Sequence, residues 1–238
     1  MYEEYRRLCR GSLSEALSEE EEDSTLHCFI DWGSLAKVEL LSLQPVVALF
    51  HDILSQQERK VLMSAAIQAD FQVPQTVSAG SGVIQSDVQK RTGKIAFVQT
   101  EPEEQSSNEI YQRILSQVKG KTSRLSGLMV EEEGATEPLQ VVNYGVGGHY
   151  EPHVDFFGDS LDLVEGDRVA TMLFYLGSSP QQKEDDQKVV GGATVFPFLH
   201  LAVKPQSGAA LFWYNTKRGG GGGGDPATLH AGCPGNYP

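Results

Sequence analysis

The chain has 238 residues, of which 19 are basic and 32 are acidic, so its formal net charge is −13. This length suits one domain with a full hydrophobic core, or one domain with an appendage. The strong acidity argues against a nucleic-acid partner and against an anionic membrane surface, because both are held by clustered lysine and arginine.

The first part of the chain, residues 1–37, is weakly patterned and is expected to be an N-terminal extension or linker that is partly disordered. Glu19 to Asp23 form an acidic run that is typical of a solvated or mobile segment. The start shows no signal peptide, and no apolar run approaches the ~18 residues of a membrane span. Residues 38–238 are expected to form the main domain.

Three cysteines, Cys9, Cys28 and Cys233, are an odd number, which leaves a free thiol or a partner elsewhere. Cys9 and Cys28 flank the acidic segment, and we predict that they lie close enough to bridge. A Cα separation well above ~7 Å would exclude this bridge. From the spacing alone, free thiols and a single bridge are equally open.

Two helices are predicted in the first half of the main domain. An apolar run, Pro45 to Leu54, predicts a strand entering the core. Ser55-Gln-Gln-Glu58 has the form of a capping box, so a helix should follow it to about Ala69. A strand is predicted at Ile95 to Val98, and a second amphipathic helix from about Asn108.

Beyond residue 138 the pattern changes to short strands. Leu139 to Val142 predicts a buried strand and Arg168 to Leu176 a core strand, with further strands within 191–197, 199–204 and 209–215. The polar segment 177–188 and the glycine run 219–224 are expected to be loops. Two helices followed by many short strands predict an antiparallel β-sandwich or barrel backed by helices.

One stretch in this region, VVNYGVGGHYEPHVD, carries candidate metal ligands. Residues two apart in a strand share a face, so His153 and Asp155 can hold one metal ion together. His230, in the motif TLHAGCP, can supply a third ligand. Two histidines and one carboxylate form the facial triad of non-haem Fe(II) oxygenases, which leaves positions open for a 2-oxo acid and O₂.

Several motifs together resemble the catalytic region of the collagen-type prolyl 4-hydroxylase alpha subunit. They are YRRLCRG, LQVVNYGVGGHYEPHVDFF, RVATMLFYL, GGATVFP, AALFWYN and TLHAGCP. The resemblance implies an α+β fold with a double-stranded β-helix (jelly-roll) core backed by N-terminal helices. It also implies Fe(II), 2-oxoglutarate and L-ascorbate, and hydroxylation of peptidyl proline in proline-rich, procollagen-like chains with succinate and CO₂ as co-products.

Carried over residue by residue, the resemblance makes His153, Asp155 and His230 the catalytic iron ligands. Tyr144 and Thr194 match positions that line the 2-oxoglutarate pocket, and Arg168 matches a position near the bound peptide. A proline-rich peptide favours aromatic grooves, for which Tyr150 and Trp213 are candidates. Each of these five residues could instead be an ordinary packed or strand-edge residue, Trp213 in the core of its strand.

The sequence departs from the family near its end. The lysine that pairs with 2-oxoglutarate, and the expected partner of Cys233, would both lie beyond Pro238. A fragment of an enzyme of the endoplasmic reticulum lumen is therefore expected, with a protein disulfide isomerase subunit as a candidate partner. Two alternatives stay open: a catalytically impaired peptide-binding or assembly module, and a related 2-oxoglutarate oxygenase with a lysyl or small-molecule substrate.

Overall fold

The computed structural model describes residues 1–11, 27–73, 76–77, 84–85, 91–98, 109–132, 134–157, 166–177, 190–217 and 223–236. The α-helices in this part of the chain are α1 (Tyr2–Cys9), α2 (Gln56–Gln68) and α3 (Glu109–Ser126), and two short 3-10 helices lie at Pro197–Leu199 and Pro226–Thr228. The strands are β1 (His27–Asp31), β2 (Ala36–Leu43), β3 (Val46–His51), β4 (Thr76–Val77), β5 (Ile84–Gln85), β6 (Lys94–Val98), β7 (Leu139–Asn143), β8 (Tyr150–His153), β9 (Ala170–Phe174), β10 (Val190–Gly191), β11 (Thr194–Phe196), β12 (Leu201–Val203), β13 (Ala210–Tyr214), β14 (His230–Gly232) and β15 (Gly235–Asn236).

Two antiparallel sheets form the centre of the fold. The major sheet has the strand order β1-β2-β3-β13-β9, and the minor sheet has the order β12-β11-β14-β8. Side chains alternate between the faces of each strand, so Leu211 and Trp213 of β13 point inward. There they pack against Phe196 and Val203 of the minor sheet. Three two-stranded pairs, β4–β5, β6–β7 and β10–β15, accompany the two sheets.

Helices cover the outer faces of both sheets. Leu62 of α2 and Leu115 of α3 belong to one buried cluster that includes Phe174 of the major sheet. On the opposite side of the molecule, Leu8 of α1 packs against Val195 and Ala231 of the minor sheet. The layers are therefore helix, sheet, sheet and helix, and the predicted combination of helices with antiparallel sheets is confirmed.

The two predicted helices of the main domain are present. The Ser55 hydroxyl accepts a hydrogen bond from the Glu58 backbone amide, while the Glu58 carboxylate accepts one from the Ser55 amide at 2.8 Å. This reciprocal pairing is the predicted capping box, and α2 follows it directly. No helix in the described ranges is long and apolar enough to cross a bilayer.

The first 37 residues contain more regular structure than their weak pattern suggests. Helix α1 and strand β1 both lie there, and β2 crosses the expected boundary between residues 37 and 38. The acidic run Glu19 to Asp23 and most of the two expected loops, at 178–189 and 218–222, lie outside the described residues. Strand β7, expected to be buried, has only intermediate and exposed side chains, because its partner is β6 rather than a central strand.

The disulfide prediction is wrong. Cys9 bridges Cys233, with a Cα separation of 5.3 Å, and Cys28 is an exposed free cysteine in β1. The partner of Cys233 therefore lies near the start of the chain rather than beyond its end. Because Cys9 ends α1 and Cys233 follows β14, the bridge fixes α1 to the minor sheet.

Candidate metal centre

Two neighbouring strands bring the candidate ligands together. His153 ends β8 and His230 begins β14, and the two residues are paired in the antiparallel register. Directly opposite residues project to the same side of a sheet, and here the two ring centroids are 4.3 Å apart. Asp155 lies two residues beyond the end of β8, so its carboxylate reaches the rings from the segment that follows the strand.

The distances between the three side chains suit a metal ion. The His153 Nε2 atom is 3.6 Å from Asp155 Oδ1, and the His230 Nε2 atom is 3.7 Å from Asp155 Oδ2. Both distances are too long for good hydrogen bonds. Two ligand atoms that each lie about 2.1 Å from one shared ion are at most about 4.2 Å apart, so both distances leave a common ion within reach of all three side chains. The expected convergence of His153, Asp155 and His230 is therefore present, with all ligand atoms within 4.8 Å of one another.

Each histidine is held in the tautomer that a metal requires. His153 Nδ1 lies 2.8 Å from the Glu151 carbonyl oxygen, and His230 Nδ1 lies 3.0 Å from that of Thr228. A carbonyl oxygen only accepts, so each Nδ1 carries the hydrogen and each Nε2 presents a lone pair. Burial lowers the pKa of His153 to about 4, helped by its proximity to His230. His153 is therefore neutral at pH 7, as metal binding requires.

The carboxylate of Asp155 is held from the opposite sheet. Burial acts to raise its pKa, but the two imidazoles and a hydrogen bond from the Thr171 hydroxyl, at 2.6 Å, lower the pKa overall. Thr171 was not a predicted site residue. The sequence did contain a signal for it. Thr171 is a polar residue within the apolar run of β9, and the alternation of side chains along a strand places it on the same inner face as Leu173.

Aromatic rings form the walls of the centre. Tyr150 stacks on His153 with ring centroids 3.6 Å apart, and the Arg91 guanidinium lies 4.6 Å from the Tyr150 centroid. Arg91 was not predicted from the sequence. Trp213 lies 4.7 Å from the His230 ring but is only 1% exposed. Its predicted role as a peptide contact is corrected, since a docked peptide cannot reach a side chain packed between the two sheets.

Tyr144 and Thr194 both approach the strand that carries His230. Thr194 pairs with Gly232 of β14, and its hydroxyl accepts a hydrogen bond from the Tyr175 hydroxyl at 2.9 Å. The Tyr144 hydroxyl lies 3.8 Å from the point that a Cβ on Gly232 would occupy. Burial raises the pKa values of Tyr144 and Tyr175, so both phenols keep their hydrogen and can donate it.

Arg168 is fixed at the edge of the centre. Its guanidinium pairs with the Glu137 carboxylate and donates to the Asp155 backbone carbonyl at 3.2 Å. The same group lies 4.4 Å from the centroid of the Phe157 ring. The structure therefore places Arg168 beside the ligand segment, with Glu137 as a partner that the sequence did not suggest.

Comparison with known proteins agrees with this geometry. Residues 139–237 match the family model of the 2OG-Fe(II) oxygenase superfamily. Prolyl 4-hydroxylase subunit alpha-3 of Rattus norvegicus is 36% identical over 203 residues, which cover 84% of this chain and 33% of the relative. Prolyl 4-hydroxylase subunit alpha-2 of Caenorhabditis elegans is 31% identical over 241 residues, covering 97% of this chain and 40% of the relative. The chain thus spans well under half the length of these relatives.

Two solved structures show a similar fold. The viral collagen prolyl hydroxylase of Paramecium Bursaria Chlorella virus-1 gives a TM-score of 0.55 at 23% identity, covering 81% of this chain and 90% of that one. A Pseudomonas putida prolyl-4-hydroxylase gives a TM-score of 0.51 at 13% identity, covering 82% and 89%. These two structures show the fold alone, whereas residues 139–237 identify a 2OG-Fe(II) oxygenase domain by their match to the family model, and the chain is similar to part of the prolyl 4-hydroxylase alpha subunits.

Proposed function

We propose that this chain hydroxylates peptidyl proline to 4-hydroxyproline in proline-rich, collagen-like chains, using Fe(II), 2-oxoglutarate and O₂ and releasing succinate and CO₂. The observation that carries the proposal is the convergence of His153, Asp155 and His230 within the matched domain. L-ascorbate is proposed as the reductant that restores Fe(II) activity.

The donor set fits Fe(II), since two neutral imidazoles and one carboxylate are the ligands of non-haem iron oxygenases. His153, Asp155 and His230 would hold the ion. Bound Fe(II) and 2-oxoglutarate would supply the oxidising chemistry that inserts an oxygen atom from O₂ into a C–H bond. The protein would contribute ligand orientation through the Glu151 and Thr228 carbonyls, and exclusion of water through buried Trp213.

Tyr144 and Thr194 are proposed to bind 2-oxoglutarate. The Thr194 hydroxyl already accepts a hydrogen bond from Tyr175, so its own hydrogen is available for an anionic acceptor. The Tyr144 phenol is protonated and lies near the same strand. Two hydroxyl donors near Gly232, on the strand that begins with His230, are suited to a carboxylate or keto oxygen of the co-substrate.

Tyr150 and Arg168 are proposed to contact the peptide. Both are partly exposed and lie beside the metal ligands, one stacked on His153 and the other bonded to the Asp155 carbonyl. A polyproline II peptide loses little conformational entropy on docking against such an aromatic surface. The rigid placement of Arg168 by Glu137 supports a positioning role toward peptide carbonyl groups.

We further propose that the two sheets are the halves of a double-stranded β-helix and that residues 38–238 carry the oxygenase domain, to which the preceding segment adds β1 and the start of β2. The endoplasmic reticulum lumen is the proposed compartment, and the Cys9–Cys233 disulfide supports it, because such bonds persist in oxidising compartments. A protein disulfide isomerase subunit is proposed as a partner by analogy with animal collagen-type enzymes.

Turnover of a synthetic proline-rich peptide tests the proposal. With Fe(II), 2-oxoglutarate and ascorbate, we expect a mass gain of one oxygen at proline and an equal amount of succinate. His153→Ala and His230→Ala should lose all detectable turnover. His51→Ala is the matched control, since His51 contacts Glu39 and Gln206 at the end of β3 farthest from Trp213.

Three results would count against the proposal. Decarboxylation of 2-oxoglutarate retained by His153→Ala would remove the metal assignment. Oxygen gained only by lysine-containing peptides would indicate another substrate class. Peptide binding without any succinate would indicate a binding or assembly module.

A further inference from the structure

A partly buried threonine of the major sheet and a buried asparagine next to it form a series of hydrogen bonds that ends on a candidate metal ligand. The Thr171 hydroxyl of β9 donates to Asp155 Oδ2 at 2.6 Å, and the Asn215 Nδ2 group donates to Thr171 Oγ1 at 3.0 Å. Asn215 follows β13, the strand paired with β9, and is 0% exposed. These hydrogen bonds therefore connect the interior of the major sheet to Asp155, which follows strand β8 of the minor sheet.

The chemistry of the three side chains determines which group donates and which accepts in each hydrogen bond. A metal-binding carboxylate is ionised and can only accept hydrogen bonds. Thr171 has one hydroxyl hydrogen, which it gives to Asp155, so its oxygen can only accept from Asn215. The amide of Asn215 must therefore present its NH₂ group to Thr171.

Asn215 is itself held rigidly. Its backbone amide donates to the Val169 carbonyl at 2.8 Å, and its backbone carbonyl accepts from the Asp225 amide at 2.7 Å. The Asn215 Oδ1 atom has no hydrogen-bond partner among the described residues. Within the described structure, the side chain thus acts through its Nδ2 donor.

We infer that Thr171 and Asn215 are positioning residues, which fix the orientation of the Asp155 carboxylate toward His153 and His230 through the hydrogen bond to Oδ2. This inference rests on the proposed metal site and deepens it. Groups that orient metal ligands in this way typically contribute 10- to 100-fold to metal affinity. Neither residue is expected to contact the metal or the co-substrate directly.

Calorimetric titration of the metal-free protein with Co(II) tests the inference. Thr171→Val removes the hydroxyl at nearly constant shape and should raise the Kd for Co(II) by about 10- to 100-fold. Thr171→Ser keeps the hydroxyl and should stay within about threefold of the parent. Thr122→Val is the matched control, because it removes a hydroxyl that bonds the Val118 carbonyl within α3, and its Kd should not change.

Asn215→Asp provides a second and independent variant. The new carboxylate accepts the Thr171 hydrogen, so Thr171 no longer donates to Asp155. A negative charge near the site would by Coulomb attraction strengthen Co(II) binding, whereas loss of orientation weakens it. We expect weaker binding, by about 10-fold or more, with an altered Co(II) visible spectrum.

The outcomes separate the two proposals. If the parent protein binds no Co(II), the metal site fails and the positioning role falls with it. If the parent binds Co(II) and Thr171→Val binds equally well, or Thr171→Ser loses as much as Thr171→Val, the positioning role alone is overturned. Melting temperatures of the metal-free variants show whether each variant folds. If Thr171→Val does not fold, Asn215→Asp tests the inference in its place, and tighter or unchanged Co(II) binding by Asn215→Asp overturns it.

Discussion

At the scale of single residues, burial gives His153 a property that can be measured without metal. Its ring is enclosed by Tyr150 and His230, and its pKa is lowered to about 4. In an unfolded chain the same imidazole has a pKa of about 6.5. The unfolded state therefore binds a proton at a higher pH than the folded state does.

This difference predicts a pH dependence of stability. Because the folded pKa is the lower one, the free energy of unfolding should fall as the pH is lowered from about 6.5 toward 4. At about 1.4 kcal/mol per pKa unit, the loss between pH 7.5 and pH 5 should be about 2 kcal/mol. Urea unfolding at these two pH values, in parent and His153→Ala proteins, measures the effect.

The His153→Ala protein should lose about 2 kcal/mol less than the parent over that pH interval. Titrating groups that do not contact His153 act on both proteins alike and cancel in the comparison. An equal pH dependence in the two proteins would show that His153 titrates normally in the folded state.

The residues of the site differ in how far the sequence could predict them. His153 and Asp155 are close in sequence, so the two-residue repeat of an extended chain was sufficient to pair them. Thr171, Arg91 and Glu137 reach the site from other strands and loops, and their contacts depend on how those segments pack. Trp213 was misplaced because alternation tells which residues share a face, but not which face is covered.

At the scale of elements, the start of α2 combines a local cap with a contact to another helix. Glu58 accepts from Ser55 within the capping box and also pairs with Lys121 of α3, with Nζ 2.6 Å from Oε1. Burial acts to raise the pKa of Glu58, but Lys121 and Ser55 lower it overall. The carboxylate therefore stabilises the fold above its unfolded pKa, and this contribution is lost as the pH falls through the folded pKa.

Substitution of Glu58 should separate these two contributions. Glu58→Gln keeps the cap but leaves the half-buried Lys121 ammonium without its charge partner, and should cost about 1–2 kcal/mol. Glu58→Ala removes the cap as well and should cost about 1 kcal/mol more. Urea unfolding measures both, with Glu109→Gln in the exposed first turn of α3 as the control.

Equal losses for the two Glu58 variants would show that the cap contributes nothing measurable. A loss in Glu109→Gln as large as in Glu58→Gln would show that the effect is not specific to the ion pair.

The elements themselves were predictable where their signals are local. The capping box and the apolar stripes fixed α2 and α3, since both depend on residues within a few positions of each other. Strand β1 has almost wholly exposed side chains and pairs with β2 through its backbone, so no hydrophobic pattern could reveal it. Strand β7 is only half buried for a similar reason, because its neighbour β6 lies outside the two central sheets.

At the scale of the whole molecule, one covalent bond joins the two ends of the described chain. Cys9 and Cys233 are separated by 224 positions, and local spacing gives no information about such a pair. Spacing instead favoured Cys28, which is nearer in sequence. The bridge fixes α1 against the strand that begins with His230, so a covalent bond connects the outer helix to the strand of the candidate metal centre.

We predict that this bridge contributes substantially to stability. Closing a loop of this length restricts the unfolded chain, and loss of such a bridge typically costs about 2–5 kcal/mol. Under oxidising conditions Cys9→Ala/Cys233→Ala should therefore unfold at lower urea than the parent, and a reductant should destabilise the parent but not the double variant. Cys28→Ala is the control and should respond to the reductant as the parent does, because Cys28 is a free thiol. If Cys28→Ala instead loses its response to the reductant, the bridge in solution involves Cys28, and the attachment of α1 to the minor sheet is not covalent.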